Sequence, residues 1–189
     1  MANPRTDRLN SDYNKLQALV ARSDFVKILG TKGTPANEYT IQFTCRGIKS
    51  LNGGQPVYSE DHRVRVKLGS QYPLSKPDLR WLTPIYHPNI SGSGSVCIGN
   101  EWASGGRYLD DLVIYLAQMV RYEGEDMTFS SDAFNREAYA WAKRNKQLLP
   151  VDKRPLLRPE WEIQILAKQT LDIQVNEVAS WDIQVTRTS

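Results

Sequence analysis

Apolar residues near the N-terminus recur at intervals of three and four, the spacing that lines one face of an α-helix. These residues are Leu9, Tyr13, Leu16 and Val20. They predict a helix from about Asp7 to Ser23, whose acidic first residue suits the positive end of a helix dipole. One apolar stripe of this helix is expected to pack on the rest of the fold.

Four later stretches have the pattern of β-strands. Apolar and polar residues alternate in 39–45 and in 64–68, as in strands with one buried face. Residues 25–29 are rich in β-formers and end before a glycine, and 79–82 follows a turn bounded by prolines. Four strands in succession predict an antiparallel meander.

Helical spacing returns after residue 108 and predicts two more helices. The first carries a long apolar stripe of Leu109, Leu112, Val113, Leu116 and Val120. The second is marked by Phe134, Ala138 and Trp141 and is expected to end near residue 150, where a proline follows. A helix, four strands and then helices describe an α+β fold with its helices on one face of the sheet.

The C-terminal part carries a repeat of ten residues. The units 161–165, 171–175 and 181–185 share the order apolar, acidic, Ile, Gln and β-branched. This alternation predicts short strands, either packed on their own domain or recruiting another chain by strand addition. We therefore divide the chain into a domain at 1–149 and an extension at 150–189.

Charge is nearly balanced overall and uneven along the chain. Net charge is +3 at neutral pH, too small to imply nucleic-acid binding by itself. Residues 143–159 carry six basic residues and one acid, whereas 160–189 carry five acids and two bases. Both are interpreted as solvated surface or as docking sites. We do not expect nucleic acid as a partner, although the basic stretch makes a nucleic-acid-binding module the rival to test.

Two cysteines, Cys45 and Cys97, provide no disulfide framework and no zinc-binding pair. No run of residues has the apolar length of a signal peptide or a membrane span. These features favour a soluble protein of the cytoplasm. Cys45 shares an apolar face with Tyr39, Ile41 and Phe43 and is expected in the core.

Cys97 has a different setting, because it follows the loop 86–96 with His87, Pro88 and Asn89 at its start. Gly92 and Gly94 let this loop fold back and bring the Asn89 amide towards the sulfur. A thiolate is a good nucleophile and a good leaving group near neutral pH. A fixed donor beside it can stabilise the oxyanion that forms when an amine attacks a thioester.

This loop resembles the active-site loop of ubiquitin-conjugating enzymes, in which His-Pro-Asn precedes the acceptor cysteine at this spacing. The resemblance extends over about residues 5–149 and includes the segments 72–77, 81–86 and 131–138. It implies an enzyme that accepts a ubiquitin-like protein from an activating enzyme as a thioester and transfers it to an amine, usually of a protein lysine. Such an enzyme needs no metal or cofactor, since ATP is used by the activating enzyme.

The resemblance also assigns roles to individual residues. Cys97 becomes the nucleophile, and Asn89 either donates to the oxyanion or holds the loop. His87 either braces the loop or moves a proton. Asp132 either orients the incoming lysine or caps a helix before Ala133.

Partner surfaces follow by resemblance as well. Arg5, Arg8 and Lys15 correspond to the docking face for the activating enzyme, and Leu74 and Trp102 to two loops that ligases bind. The loop at 102–105 lacks the usual proline, and Gly99 replaces an aspartate that commonly follows the cysteine by two. We therefore expect a divergent member, such as those of bacterial conjugation operons linked to phage defence. The alternative is a non-catalytic variant that binds ubiquitin-like proteins as an assembly partner.

Overall fold

Helix α1, Pro4–Ala21, begins the fold. The computed structural model describes residues 3–99, 102, 106–123 and 133–159. Asn3 caps the helix by accepting a hydrogen bond from the Arg5 N–H at 3.1 Å, and Pro4 occupies the first turn, where its missing N–H costs nothing. The helix therefore starts three residues before the predicted Asp7, which lies in the first turn.

The buried face of α1 differs from the predicted one at two of its four positions, because Asp12 and Leu19 are buried in place of Tyr13 and Val20. Its buried residues are Leu9, Asp12, Leu16 and Leu19. Tyr13 was expected on this face, but its side chain is exposed. An acidic residue takes the inner position because it finds hydrogen-bond donors there.

Asp12 joins three parts of the fold through one buried carboxylate. It accepts hydrogen bonds from Arg8 Nε at 2.9 Å, from the Tyr72 hydroxyl at 2.5 Å and from the Leu109 N–H at 3.0 Å. Burial, followed by the bond to Asp12, raises the pKa of Tyr72, so its hydroxyl stays protonated and donates. The start of the second helix and the loop at Tyr72 are thereby fixed to α1.

The described residues form six strands: β1 (Val26–Lys32), β2 (Glu38–Phe43), β3 (Gly47–Asn52), β4 (Gln55–Ser59), β5 (His62–Lys67) and β6 (Asp78–Trp81). Four of them make an antiparallel sheet in the order β1, β2, β5, β6. Register is set by the alternating core residues, since Ile41 pairs with Val64 and Val64 with Trp81. The predicted meander is confirmed.

The hairpin of β3 and β4 lies between the second and third strands of the predicted meander and was missed by the sequence pattern. Its strands are mostly exposed or half-buried, so they show little alternation. The one sequence signal is the pair Gly53 and Gly54, both with positive φ, as a tight hairpin turn requires. The hairpin packs on the third helix through Ile48 and through Trp141, whose indole donates to the Gly54 carbonyl at 2.9 Å.

Two more helices complete the described fold. Helix α2, Leu109–Val120, buries every residue of its predicted apolar stripe. Helix α3, Arg136–Arg144, is capped by Asn135, which accepts from the Ala138 N–H at 3.0 Å, and a 3-10 turn at Lys146–Leu148 follows. Residues 133–135 are not helical, so α3 is not capped before Ala133, and Phe134 lies outside the helix with an exposed ring.

The segment after α3 is held by Arg121, a fully buried residue at the end of α2. Its guanidinium donates to the carbonyls of Asp152, at 2.5 Å, and of Arg154, and it pairs with Glu123 at 3.0 Å. Ser23 donates to the Leu156 carbonyl at 2.8 Å. The first compact unit accordingly extends over 1–156 and the second is 157–189, where we expected a division at 149. The ten-residue repeats lie outside the described residues.

We expect Asp12→Ala to lower the free energy of unfolding by about 3 kcal/mol, because it leaves three donors without their acceptor. Asp7→Ala, which removes an exposed acid from the same helix, should cost about 0.5 kcal/mol. Urea denaturation of both variants checks this difference. Equal stabilities would mean that the Asp12 contacts contribute little.

Candidate active site

Cys97 lies on one strand of a narrow hairpin that returns on itself between residues 89 and 97. Its N–H donates to the Asn89 carbonyl at 2.8 Å, and Ile90 pairs with Val96. The Ser91 N–H donates to the Ser95 carbonyl at 2.9 Å, which closes the tip. The backbone thus sets Asn89 and Cys97 side by side, as the glycine-rich loop predicted.

The two cysteines of the chain differ in their access to solvent. Cys97 is partly exposed, whereas Cys45 is buried in the core. Burial raises the pKa of the Cys45 thiol to about 12, so it stays protonated at neutral pH. The geometry leaves Cys97 as the thiol that a partner can reach.

The tip of the hairpin is bound to the end of the sheet. The Trp81 N–H donates to the Gly94 carbonyl at 2.8 Å, and Arg80 pairs with Ser95 as a neighbouring strand would. Gly94 has φ of +86°, and a Cβ there would lie 2.5 Å from the Trp81 carbonyl oxygen. Only glycine fits this contact without a shift of the backbone.

His87 is fully buried at the base of the hairpin. Its Nδ1 accepts a hydrogen bond from the Asn89 N–H at 3.1 Å, and its ring packs on Tyr122 with centroids 4.7 Å apart. Burial lowers the pKa of His87 to about 3, so the ring is neutral at pH 7. In this state the imidazole orients the Asn89 backbone.

Neighbouring elements hold the same segment from three sides. The Tyr86 N–H donates to the Ile48 carbonyl in β3 at 2.7 Å, and the Tyr122 hydroxyl after α2 donates to the Tyr86 carbonyl at 3.3 Å. The Asn135 N–H, at the start of α3, donates to the Pro88 carbonyl at 2.9 Å. Sequence reasoning missed Tyr122, since a lone aromatic after a helix gives no signal of this role.

Asn89 is half-buried and its backbone is bonded on both sides, to His87 and to Cys97. Asp132 lies outside the described residues. The structure therefore brings together Cys97, Asn89 and His87 among the four predicted catalytic residues.

The three basic residues predicted on the docking face of α1 make different contacts. Arg8 turns inward, with its guanidinium between Asp12 and the rings of Tyr72 and Tyr108, and it also donates to the Arg107 carbonyl. Arg5 donates to the carbonyls of Leu68 and Gly69, and Lys15 lies over the ring of Tyr108 at 3.8 Å. These contacts give Arg8 a structural role, and the docking of an activating enzyme on Arg5, Arg8 and Lys15 stays a prediction.

The two predicted ligase loops also differ from each other. Leu74 has 81% of its surface exposed. Trp102 has 8% exposed, packs on Tyr72 with ring centroids 5.5 Å apart and donates to the Pro73 carbonyl at 3.0 Å. Of these two residues, Leu74 presents its side chain outward and Trp102 binds the segment at 72–73; their contact with a ligase stays a prediction.

No group of three His, Cys, Asp or Glu side chains among the described residues is arranged to hold a metal ion. Likewise, none of the described helices combines the length and apolar character that a bilayer crossing requires.

Comparison with known proteins matches the family model for "Ubiquitin-conjugating enzyme" to residues 27–148. Ubiquitin-conjugating enzyme E2 K of Homo sapiens is 23% identical over 188 residues, which cover 86% of this chain and 91% of that protein. Ubiquitin-conjugating enzyme E2 5 of Arabidopsis thaliana is 33% identical over 88 residues, 44% of this chain and 45% of that protein.

Two solved structures show the same fold. Ubc12 of S. cerevisiae aligns with a TM-score of 0.59 at 16% identity and covers 78% of this chain and 76% of its own. A putative ubiquitin-conjugating enzyme from Trypanosoma cruzi aligns with a TM-score of 0.57 at 17% identity, over 79% of this chain and 95% of its own. With more than half of its residues matched by the family model, the chain belongs to the ubiquitin-conjugating enzyme family.

Proposed function

We propose that this protein accepts a ubiquitin-like protein from an activating enzyme as a thioester on Cys97 and transfers it to an amine of a protein substrate. The observation that carries the proposal is the partly exposed Cys97 held beside Asn89 in a hairpin fixed to the sheet. Family membership supports the reaction class. The non-catalytic alternative has no such observation in its favour.

The chemistry needs only the thiol and two external reactants. The Cys97 thiolate attacks the thioester carbonyl on the activating enzyme, and the thiolate of that enzyme leaves. A neutral substrate amine then attacks the new thioester, the Cys97 thiolate leaves and the amine nitrogen loses its proton. Each attack places a negative charge on the carbonyl oxygen, so a donor held beside the sulfur lowers the barrier.

Asn89 is the residue we assign to that oxygen. Its N–H donates to the His87 ring and its carbonyl accepts from the Cys97 N–H. These two bonds fix the position of the Asn89 backbone, from which the side chain extends, relative to the sulfur. A donor whose position is set before reaction needs no reorganisation in the transition state.

His87 is assigned to positioning. Its ring is sealed from solvent and its Nδ1 is occupied by the Asn89 N–H, so the ring has no free basic nitrogen to offer the thiol. Asp132 remains the proposed group for orienting the substrate amine. Its support is that Asn135, three residues further along, is bonded to Pro88 next to the site.

Loading of the cysteine is the direct test. With ATP, a matching activating enzyme and its ubiquitin-like protein, the wild type should give a conjugate that thiol reductants cleave. Cys97→Ser should give an oxyester that resists reductant, Cys97→Ala should give none, and Cys45→Ala should load like the wild type. A reductant-sensitive conjugate of Cys97→Ala would contradict the assignment; denaturing gels with and without reductant provide the measurement.

The contact between Gly94 and Trp81 predicts a difference between two glycines of one loop. Gly94→Ala forces a Cβ against the Trp81 carbonyl and should slow loading at least tenfold while costing about 2 kcal/mol of stability. Gly92→Ala is the matched control, since a Cβ there meets nothing within 4 Å. Stopped-time loading assays and thermal unfolding measure both effects, and equal behaviour of the two variants would refute the anchoring role.

The low pKa of His87 predicts how stability varies with pH. The ring binds a proton near pH 6.5 when unfolded and near pH 3 when folded, so the unfolded state binds more protons between these values. His87 therefore reduces stability by about 1.4 kcal/mol per pH unit as pH falls through this window, and its contribution is constant above about pH 7.

In His87→Asn, the free energy of unfolding should lack this part of its dependence on pH. Urea denaturation from pH 4 to pH 7 measures the difference. His62 has a pKa that burial also lowers, but it is present in both proteins and cancels in the difference. Parallel slopes for the two proteins would exclude a buried neutral His87. The loading rate gives a second check. If the rate in the wild type depends on a group that titrates near pH 6.5, and this dependence is lost in His87→Asn, then His87 acts as a base and not as a positioning residue.

A further inference from the structure

A groove of about 630 Å³ runs along the hairpin that carries Cys97. One wall is the hairpin tip, Ser91 to Gly94, and the other is the segment from Arg80 to Ile85 that ends the sheet. Lys49 of β3 borders it as well. Neither the proposed thioester chemistry nor the sequence motifs assign a role to this groove.

The described residues that line the groove include two cations, Lys49 and Arg80, and no acid. Arg80 and Lys49 make no ion pair with any described carboxylate, whereas Arg65 on the adjacent strand is paired with Asp78 at 3.4 Å. Two cations without a partner on one groove create a field that attracts anionic groups. The charge of the groove is therefore not used by the fold itself.

Hydroxyl groups and apolar side chains complete the lining. The hydroxyls of Ser91 and Ser93 lie 2.9 Å apart at the tip, and hydroxyls of this kind donate to carboxylate oxygens. Leu82 is about half exposed on the opposite wall, next to Pro84 and Ile85. A groove with apolar walls, cations and hydroxyl donors is suited to an extended peptide that carries acidic side chains.

The distance to the sulfur follows from the strand geometry of the hairpin. Ser95 and Ser93 precede Cys97 by two and four residues, which at about 3.3 Å per residue corresponds to roughly 7 to 13 Å. An extended peptide covers the same distance with two to four of its own residues. A substrate whose lysine reaches Cys97 can therefore place a nearby side chain in the groove.

We propose that this groove selects the acceptor: it binds an acidic side chain located two to four residues from the lysine that is modified. The inference rests on the proposed transfer from Cys97 and names the substrate class of that same site. Arg80 and Lys49 supply the charge, and Ser91 and Ser93 supply the donors. Acidic flanks raise the local concentration of the acceptor amine beside the thioester.

The test uses two lysine peptides and the full-length protein. One peptide carries glutamate two and four residues from a central lysine on both sides, and its twin carries glutamine at the same positions. Cys97 is loaded with ubiquitin, either by its activating enzyme or by exchange with a ubiquitin mercaptoethanesulfonate thioester. The readout is the ratio of discharge rates to the two peptides, which cancels any general effect of a variant on the thioester.

The wild type should prefer the glutamate peptide, and Arg80→Gln and Lys49→Gln should each reduce the preference by about two- to fivefold. The double variant should discharge to both peptides equally, and 0.5 M salt should narrow the preference of the wild type. Lys27→Gln, an exposed cation on β1, is the charge-matched control and should keep the full preference. A preference that is absent in the wild type, or that survives in the double variant, overturns the proposal.

A binding measurement separates failure of the groove from failure of the proposed function. In NMR titrations of the unloaded protein, the glutamate peptide should shift the amides of Ser93 and Gly94, and the double variant should lose these shifts. If Cys97 cannot be loaded, the transfer function fails while this titration still decides whether the groove binds acidic peptides. Absence of shifts in the wild type overturns the groove assignment whatever the loading result.

Discussion

The backbone pairing between the hairpin tip and the end of β6 determines where the Cys97 sulfur lies. Gly94 accepts from the Trp81 N–H, and this bond joins a loop of small polar residues to the four-stranded sheet. From that point, the backbone pairing within the hairpin fixes the position of Cys97 relative to the sheet. A loop built from glycine and serine would otherwise sample many conformations and could not hold a nucleophile beside a donor.

The base of the hairpin is organised differently, through burial. His87 and Tyr122 pack against each other in the interior, and carbonyls of the segment 86–88 accept hydrogen bonds from residues after α2 and at the start of α3. In the His-Pro-Asn segment, the His87 ring is therefore a buried group that holds the backbone in place. Because a neutral imidazole both fills space and accepts one hydrogen bond, it can fix a backbone without placing a charge near Cys97.

Sequence reasoning located the main elements because their periodicities are strong. The stripe of α2 and the alternation of β2 and β5 report burial on one face, which is what those patterns measure. It failed where a polar group is buried for its hydrogen bonds: Asp12 on the inner face of α1, and Arg8 turned towards it. It also missed the hairpin of β3 and β4, whose strands are too exposed to alternate.

In the candidate site too, some features could be predicted from the sequence and others required the fold. The motif predicted that Cys97 and Asn89 lie together, with His87 in the same loop, because short spacings within one loop can be read from the sequence. The cations of the groove come from β3 and β6, which are distant in sequence, and only the fold places Lys49 and Arg80 on one surface. The burial of Trp102 could not be predicted for a related reason, since a large aromatic residue in a loop can point outward or inward with the same local pattern.

Arg121 has a consequence for any shortened version of this protein. Its guanidinium lies in the interior and donates to main-chain carbonyls at 152 and 154, well after α3. Cutting the chain at the end of α3 would therefore leave a buried cation with Glu123 as its one partner among the described carboxylates, a costly arrangement. A stable catalytic fragment has to retain these residues, so the catalytic unit and its C-terminal extension can be separated only beyond them.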